Sequence, residues 1–201
     1  MPDLQTIRHA ARSSVTRWFE RPAVSILVKL RFTPSAATLV GLLLAIGAAY
    51  LLSEGEFLYG AVLLLVGSVF DLLDGGIARS TGRVSDRGAL MDSVFDRISE
   101  MAVLLGLAAY YSSGASADRT AVILAFVAMA GSMMVSYVRA RAEGLGVRGT
   151  AGFLTRPERV VIMVVCLVTG YPMIALWILA VGTPISAVWR FADAWRSIDS
   201  D

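Results

Sequence analysis

The sequence has little charge and a single cysteine. Charged residues make up 17% of its 201 positions, and the net charge of +2 is too small to indicate nucleic-acid binding. Cys166 cannot form a disulfide within the chain, so nothing indicates an oxidising compartment. The N-terminal region carries arginines throughout and lacks a short apolar core with a cleavage site, so we expect no cleavable signal peptide.

Hydrophobic residues are abundant instead, at 56% of the chain, which is far above the share in a soluble domain of this length. A membrane-spanning helix needs about 20 mostly apolar residues. Six segments approach that length, at roughly residues 35–53, 56–79, 88–112, 120–141, 159–175 and 173–194. The last two overlap because the Gly170 to Pro172 stretch is the only turn signal between them. The sequence therefore predicts an all-α integral membrane protein with six transmembrane helices.

An amphipathic helix is predicted ahead of the spans. Apolar residues recur there at helical spacing with arginines between them: Leu4, Ile7, Ala11, Val15 and Trp18, with Arg8, Arg12 and Arg17. This pattern is typical of a helix that lies along the membrane surface. We therefore expect a cytoplasmic juxtamembrane segment at residues 1–33 and a six-helix transmembrane domain at residues 34–201, entered at Pro34.

The arginines and lysines predict the orientation of these spans. With six spans, all of the 18 basic residues except Arg119 fall on one side of the membrane. Basic residues accumulate on the cytoplasmic side of membrane proteins. We therefore expect a multi-pass protein of the cell membrane with both termini in the cytoplasm, in contact with membrane lipids.

Four aspartates lie where an apolar span should not have them. A charged residue in the middle of a spanning helix costs roughly 2.5–3.5 kcal/mol on insertion scales and usually has a function. Asp71 and Asp74 project about 60° apart on a helix, and Asp92 and Asp96 about 40° apart, so each pair shares a face. Because a short polar connection joins the two spans, we expect the pairs to meet across antiparallel helices, on the cytoplasmic side.

Converging carboxylates repel one another unless cations neutralise them. Magnesium prefers oxygen ligands, and two such ions can stabilise both sides of a phosphoryl displacement. Two alternatives stay open at this point. The carboxylates could pair with nearby arginines in a surface charge network, or they could line the pathway of a cation or proton transporter.

The spacing of these residues resembles the signature of the CDP-alcohol phosphotransferase family. The match covers every defined position of that signature, namely Asp71, Asp74, Gly75, Ala78, Arg79, Gly88, Asp92 and Asp96. The family also has six spans, an amphipathic N-terminal helix and usually a homodimeric state, so the resemblance extends loosely over the whole chain. It implies an enzyme rather than a transporter.

The resemblance implies a role for each residue of the signature. Asp71, Asp74 and Asp92 would bind two metal ions, Mg2+ or Mn2+, and Asp96 would complete the second metal site and act as general base. The acceptor alcohol would then attack the lipid-side phosphorus of a CDP-lipid such as CDP-diacylglycerol, and CMP would leave. The residues implied in CDP-lipid binding are Thr38, Gly75, Ala78, Arg79 and Gly88.

The acceptor is predicted from arginines later in the chain, since a phosphate on the acceptor needs fixed positive donors. Residues 136–163 resemble the family branch that makes phosphatidylinositol phosphate or archaetidylinositol phosphate. On that resemblance, Arg139, Arg159 and Arg190 would bind the phosphate of inositol 1-phosphate. Glycerol 3-phosphate is the alternative acceptor.

Overall fold

The computed structural model describes residues 21–147 and 152–198, in which all regular structure is helical. The predicted amphipathic helix at residues 4–18 lies outside these residues. The described residues form seven α-helices and a short 3-10 helix at Gly114–Ser116. The α-helices are α1 (Arg21–Lys29), α2 (Pro34–Ser53), α3 (Phe57–Ser80), α4 (Asp86–Tyr110), α5 (Arg119–Gly144), α6 (Arg156–Val168) and α7 (Pro172–Ile198).

Four of the described helices are long and apolar enough to cross a membrane: α2, α3, α5 and α7. The other two predicted spans fall short for different reasons. Helix α4 has 25 residues, but charged side chains occur along it from Asp86 to Glu100, among them Asp92 and Asp96. Helix α6 has 13 residues, about 20 Å, against a hydrocarbon core of about 30 Å. Six transmembrane helices therefore stay a prediction.

The boundary between the last two helices is sharper than the sequence indicated. Helix α6 ends at Val168, ahead of the predicted residue 175, and α7 starts at Pro172 and continues to Ile198. Gly170 has a φ of 78°, and the N–H of Tyr171 donates to the carbonyl of Cys166 at 2.8 Å. This left-handed glycine with its closing hydrogen bond ends a helix, and proline is well suited to begin the next.

The described chain forms two compact units, and α2, α3 and α4 contribute to both. The first unit comprises residues 21–43 and 66–96, and the second comprises residues 44–65, 97–147 and 152–198. In the first unit, α1 and the start of α2 pack against the end of α3. The buried residues of that cluster are Val24, Ala37, Leu73 and Ile77, and the rings of Phe32 and Phe70 lie 6.2 Å apart.

The core of the second unit consists of aliphatic side chains from six helices. Its largest fully buried apolar side chains are Leu52, Leu104, Leu107, Leu167, Leu176 and Leu179. Glycines allow helices to approach closely here. A Cβ at Gly106 would lie 2.9 Å from the Cα of Ala49, and one at Gly131 would lie 2.9 Å from Cδ of Pro184. Small residues at such contacts let backbones meet, as is common in membrane helix bundles.

We expect Gly106→Ala to destabilise the protein by about 1–3 kcal/mol, because the new methyl group would overlap rigid backbone. The midpoint of thermal unfolding in detergent measures this. Gly144→Ala is the control, since a Cβ there has nothing within 4 Å and alanine favours helix. Equal loss of stability in both variants would contradict the close packing at Gly106.

Candidate active site

The first unit holds a buried aspartate on α3. Asp74 is 6% exposed, and its Oδ2 accepts a hydrogen bond from the Thr38 hydroxyl on α2 at 2.7 Å. Thr38 is itself buried. A buried carboxylate needs such a donor, because removing it from water is costly otherwise. The two residues, which the sequence assigned separately to metal and CDP-lipid, are therefore in direct contact.

Asp71 lies one helical turn away from Asp74 and faces a glycine. A Cβ built on Gly41 of α2 would overlap the Oδ1 of Asp71, so only glycine leaves room for this carboxylate. Gly41 is three residues after Thr38, just as Asp71 is three residues before Asp74. Because α2 and α3 are antiparallel, Asp74 lies opposite Thr38 and Asp71 lies opposite Gly41. Sequence reasoning missed Gly41, although its spacing from Thr38 mirrors that of the aspartates.

A cavity of about 330 Å³ opens in the first unit beside these residues. All five residues predicted to bind the CDP-lipid line it, together with two of the aspartates: Thr38, Asp74, Gly75, Ala78, Arg79, Gly88 and Asp92. Asp71 and Asp96 are half-buried and are not among its lining residues. Six of the eight signature residues therefore share one cavity, which small and charged residues line together.

Two local features position the cavity's other groups. The guanidinium of Arg79 lies over Gly75, where a Cβ would be 3.2 Å from its Nη1. Ser85, the residue before α4, accepts a hydrogen bond from the N–H of Gly88 at 3.1 Å. A serine in that position caps the first turn of a helix. The cap fixes the start of α4, on which Gly88 and Asp92 lie.

The carboxylates are close enough to affect one another. The charges of both Asp92 and Asp71 act unfavourably on Asp74, which a divalent cation would relieve. Among the described residues, no three acidic, histidine or cysteine side chains form a group that could hold a metal by itself. The donor chemistry still fits Mg2+ or Mn2+, because every donor is a carboxylate oxygen. Such ions are commonly held by one or two carboxylates plus the phosphates of a substrate.

The three predicted acceptor arginines all lie in the second unit. Arg190 on α7 is 5% exposed, and the charges of Arg139 and Arg159 both act on it unfavourably. Its Nη2 lies against Gly152, where a Cβ would be only 2.5 Å away. Arg139 is exposed on α5 and forms an ion pair with Glu143 at 2.8 Å. Arg139 and Arg159 are therefore both near enough to Arg190 for their charges to act on it.

Arg159 makes three hydrogen bonds to groups of the second unit. It is 4% exposed, and its Nε and Nη2 donate to the two carboxylate oxygens of Glu100 at 2.5 and 2.7 Å. Its Nη1 donates to the carbonyl of Leu154 at 2.6 Å. Sequence reasoning did not single out Glu100. It lies 59 positions from Arg159, and no motif in the sequence links the two.

The sequence matches the CDP-alcohol phosphatidyltransferase family over residues 31–188. The chain belongs to this family, which confirms the resemblance based on the eight signature residues. It is accordingly a metal-dependent phosphotransferase, and its apolar helices and its family identify it as a multi-pass membrane protein. Membership favours the enzyme over the transporter that the aspartates alone left open.

Two similar proteins, one of them with two crystal structures, fit this membership. The phosphatidylinositol phosphate synthase of Mycobacterium tuberculosis is 33% identical over 207 residues, 98% of this chain and 93% of that protein. Its crystal structure with CDP-DAG bound superposes with a TM-score of 0.79 at 32% identity, covering 88% of this chain and 94% of that one. The synthase of Corynebacterium glutamicum is 33% identical over 183 residues, 88% of this chain and 84% of that protein. A structure of the M. tuberculosis enzyme contains manganese and citrate, with a TM-score of 0.79, 32% identity and coverage of 87% of this chain and 88% of that one.

We expect Gly41→Ala to weaken Mn2+ binding by about 10- to 100-fold, because the methyl group would displace the carboxylate of Asp71. Electron paramagnetic resonance of Mn2+ titrated onto the purified protein measures this. Gly47→Ala on the same helix is the control, since its Cβ would meet only the end of the Leu63 side chain, at 3.3 Å. Unchanged Mn2+ binding in Gly41→Ala would argue against Asp71 as a metal ligand.

Proposed function

We propose that this chain transfers a phosphatidyl group from CDP-diacylglycerol, or a related CDP-lipid, to a hydroxyl of inositol 1-phosphate and releases CMP. The observation that carries the proposal is a group of three arginines in the second unit, Arg139, Arg159 and Arg190. Arg159 donates to the carbonyl of Leu154, Arg190 lies against Gly152 two residues earlier, and the charge of Arg139 acts on Arg190. This group occurs in a chain that is similar over nearly its whole length to phosphatidylinositol phosphate synthases. The reaction would be a step of phospholipid biosynthesis.

The 330 Å³ cavity of the first unit suits a nucleotide diphosphate. Gly75, Ala78 and Gly88 leave space for the nucleotide against the helix backbone, and Thr38 also lines the cavity. Arg79 can donate to the diphosphate with a planar fork of N–H groups. Asp71, Asp74, Asp92 and Asp96 would hold two divalent ions, Mg2+ or Mn2+, which supply positive charge to the diphosphate when bound.

Asp96 is the group to which we assign the proton transfer. It accepts the proton of the acceptor hydroxyl, and that oxygen forms a new bond to the lipid-side phosphorus. The bond from this phosphorus to the bridging oxygen breaks, and CMP leaves with the bond's electron pair. Arg79 donates hydrogen bonds to the departing phosphate, whose negative charge grows in the transition state.

The arginine group supports a phosphorylated acceptor. Guanidinium groups bind phosphate through paired N–H donors, and three of them together favour a dianion over a neutral polyol. The phosphate is shared by inositol 1-phosphate and glycerol 3-phosphate, so the arginines support both. Similarity to phosphatidylinositol phosphate synthases favours the inositol compound.

The membrane arrangement is part of the same proposal. We infer six transmembrane helices after a juxtamembrane segment at residues 1–33, with both termini and the active site on the cytoplasmic side and a homodimeric state. The distribution of the basic residues supports the orientation. In this arrangement α4 crosses the membrane with the charges of its carboxylates neutralised. Helix α6 is too short to cross by itself, so the adjoining residues of the chain would complete that span.

Purified protein with CDP-diacylglycerol and Mn2+ should release CMP fastest with inositol 1-phosphate, more slowly with glycerol 3-phosphate and least with unphosphorylated inositol. The reason is that the arginines recognise the phosphate. Chromatographic assay of CMP with each acceptor measures the order. Faster CMP release with glycerol 3-phosphate would show that this compound is the preferred acceptor. Ion flux in vesicles, with no CMP release from any acceptor, would contradict the proposed transferase activity.

Asp96→Asn should lower turnover by about 10²- to 10⁴-fold, because asparagine cannot accept the proton. Binding of CDP-diacylglycerol should change little, since Asp96 is not among the residues lining the cavity. Steady-state CMP release and equilibrium binding of the CDP-lipid measure the two effects. Asp118→Asn is the control, because asparagine can keep the cap bonds to Thr120 and Ala121. Normal turnover in Asp96→Asn would rule out this base.

A further inference from the structure

An ion pair in the second unit joins Arg159 to Glu100, a residue that has no assigned role in the reaction. Glu100 on α4 and Arg159 on α6 meet through two parallel hydrogen bonds, at 2.5 and 2.7 Å, and their side chains are 17% and 4% exposed. Such a bidentate pair fixes the plane of the guanidinium as well as its position. Arg159 therefore has one orientation, which Glu100 determines.

The pair leaves Arg159 able to bind an anion. A guanidinium has five N–H donors, and Glu100 and the carbonyl of Leu154 take three of them. Within the described part of the chain, one further N–H is left on each terminal nitrogen. Their directions are set by the bonds already formed, so Glu100 decides where Arg159 can donate.

The same pair holds the backbone that precedes α6. Arg159 binds the carbonyl of Leu154, which has a φ of 52°, a left-handed conformation unusual for leucine. The Ser186 hydroxyl donates to the carbonyl of Phe153, and Arg190 lies against Gly152. Segment 152–154 is thus fixed at three successive residues, two of them by arginines assigned to the acceptor.

We propose that Glu100 is a positioning residue of the acceptor-phosphate site. It orients Arg159 through the bidentate pair and, through the Leu154 carbonyl, keeps Arg159 and Arg190 together around segment 152–154. It also offsets the repulsion between these two arginines, which act unfavourably on each other. The inference rests on the proposed function, since it takes this arginine group as the site of the acceptor's phosphate.

The test compares Michaelis constants for the two substrates in three variants. We expect Arg159→Ala and Glu100→Gln each to raise the KM for inositol 1-phosphate at least about tenfold, as loss of a supporting group does around bound ligands. The KM for CDP-diacylglycerol should stay within about twofold. Glu54→Gln is the matched control, an exposed glutamate between α2 and α3, and should leave both constants unchanged.

Each outcome separates the inference from the function on which it rests. A selective rise in Arg159→Ala without one in Glu100→Gln would overturn the positioning role and leave the proposed acceptor site intact. No selective rise in Arg159→Ala would overturn the acceptor site itself. A merely structural role for Glu100 would lower the unfolding temperature or kcat and change the two KM values equally.

Glu100→Asp keeps the experiment decisive if Glu100→Gln does not fold. Aspartate retains the charge but is one methylene shorter, so it can pair with Arg159 only after a shift. We expect a rise in the KM for inositol 1-phosphate that is smaller than in Arg159→Ala, again with little change for CDP-diacylglycerol. An acceptor KM equal to that of the unmodified protein would overturn the role of Glu100.

Discussion

The hydrogen bond from Thr38 to Asp74 shows the constraint on which this structure depends, the burial of charged groups among apolar helices. A buried charge without a partner costs several kcal/mol, so each one needs a specific donor or acceptor. Asp74 obtains its donor from α2, and Arg159 obtains Glu100 from α4. In both cases the partner comes from another helix. The contact that makes the charge tolerable therefore also fixes how two helices pack.

Glycine solves the complementary problem of space. Three glycines lie directly against charged side chains: Gly41 against Asp71, Gly75 against Arg79 and Gly152 against Arg190. None of the three has a positive φ, so backbone conformation does not require glycine there. The missing Cβ lets a charged group rest on the backbone of its neighbour. Space for polar groups, more than flexibility, explains these glycines.

Hydrophobic runs and residue spacing predicted most of the helices, because an apolar stretch of about 20 residues has few other structures available. The family resemblance also assigned Thr38, Asp74 and Asp92 to one site, and these three residues line the same cavity of the first unit. The Glu100–Arg159 pair was not predictable, because it joins residues 59 apart through tertiary packing alone. The end of α6 depends on the left-handed conformation of Gly170. The neighbouring residues in the sequence only suggest that conformation.

The charges of the aspartates in the first unit and of the arginines in the second unit are offset in different ways. This difference affects which ligands each group would select. In the first unit, the charges of Asp71 and Asp92 both act unfavourably on Asp74, an effect that a bound cation would relieve. The arginines of the second unit carry acidic partners within the protein, Glu100 on Arg159 and Glu143 on Arg139. A bare cluster of three arginines would attract any anion by charge. With part of that charge offset, binding of the proposed acceptor phosphate would depend more on N–H groups pointing in fixed directions, so that the shape of the phosphate would be recognised as well as its charge.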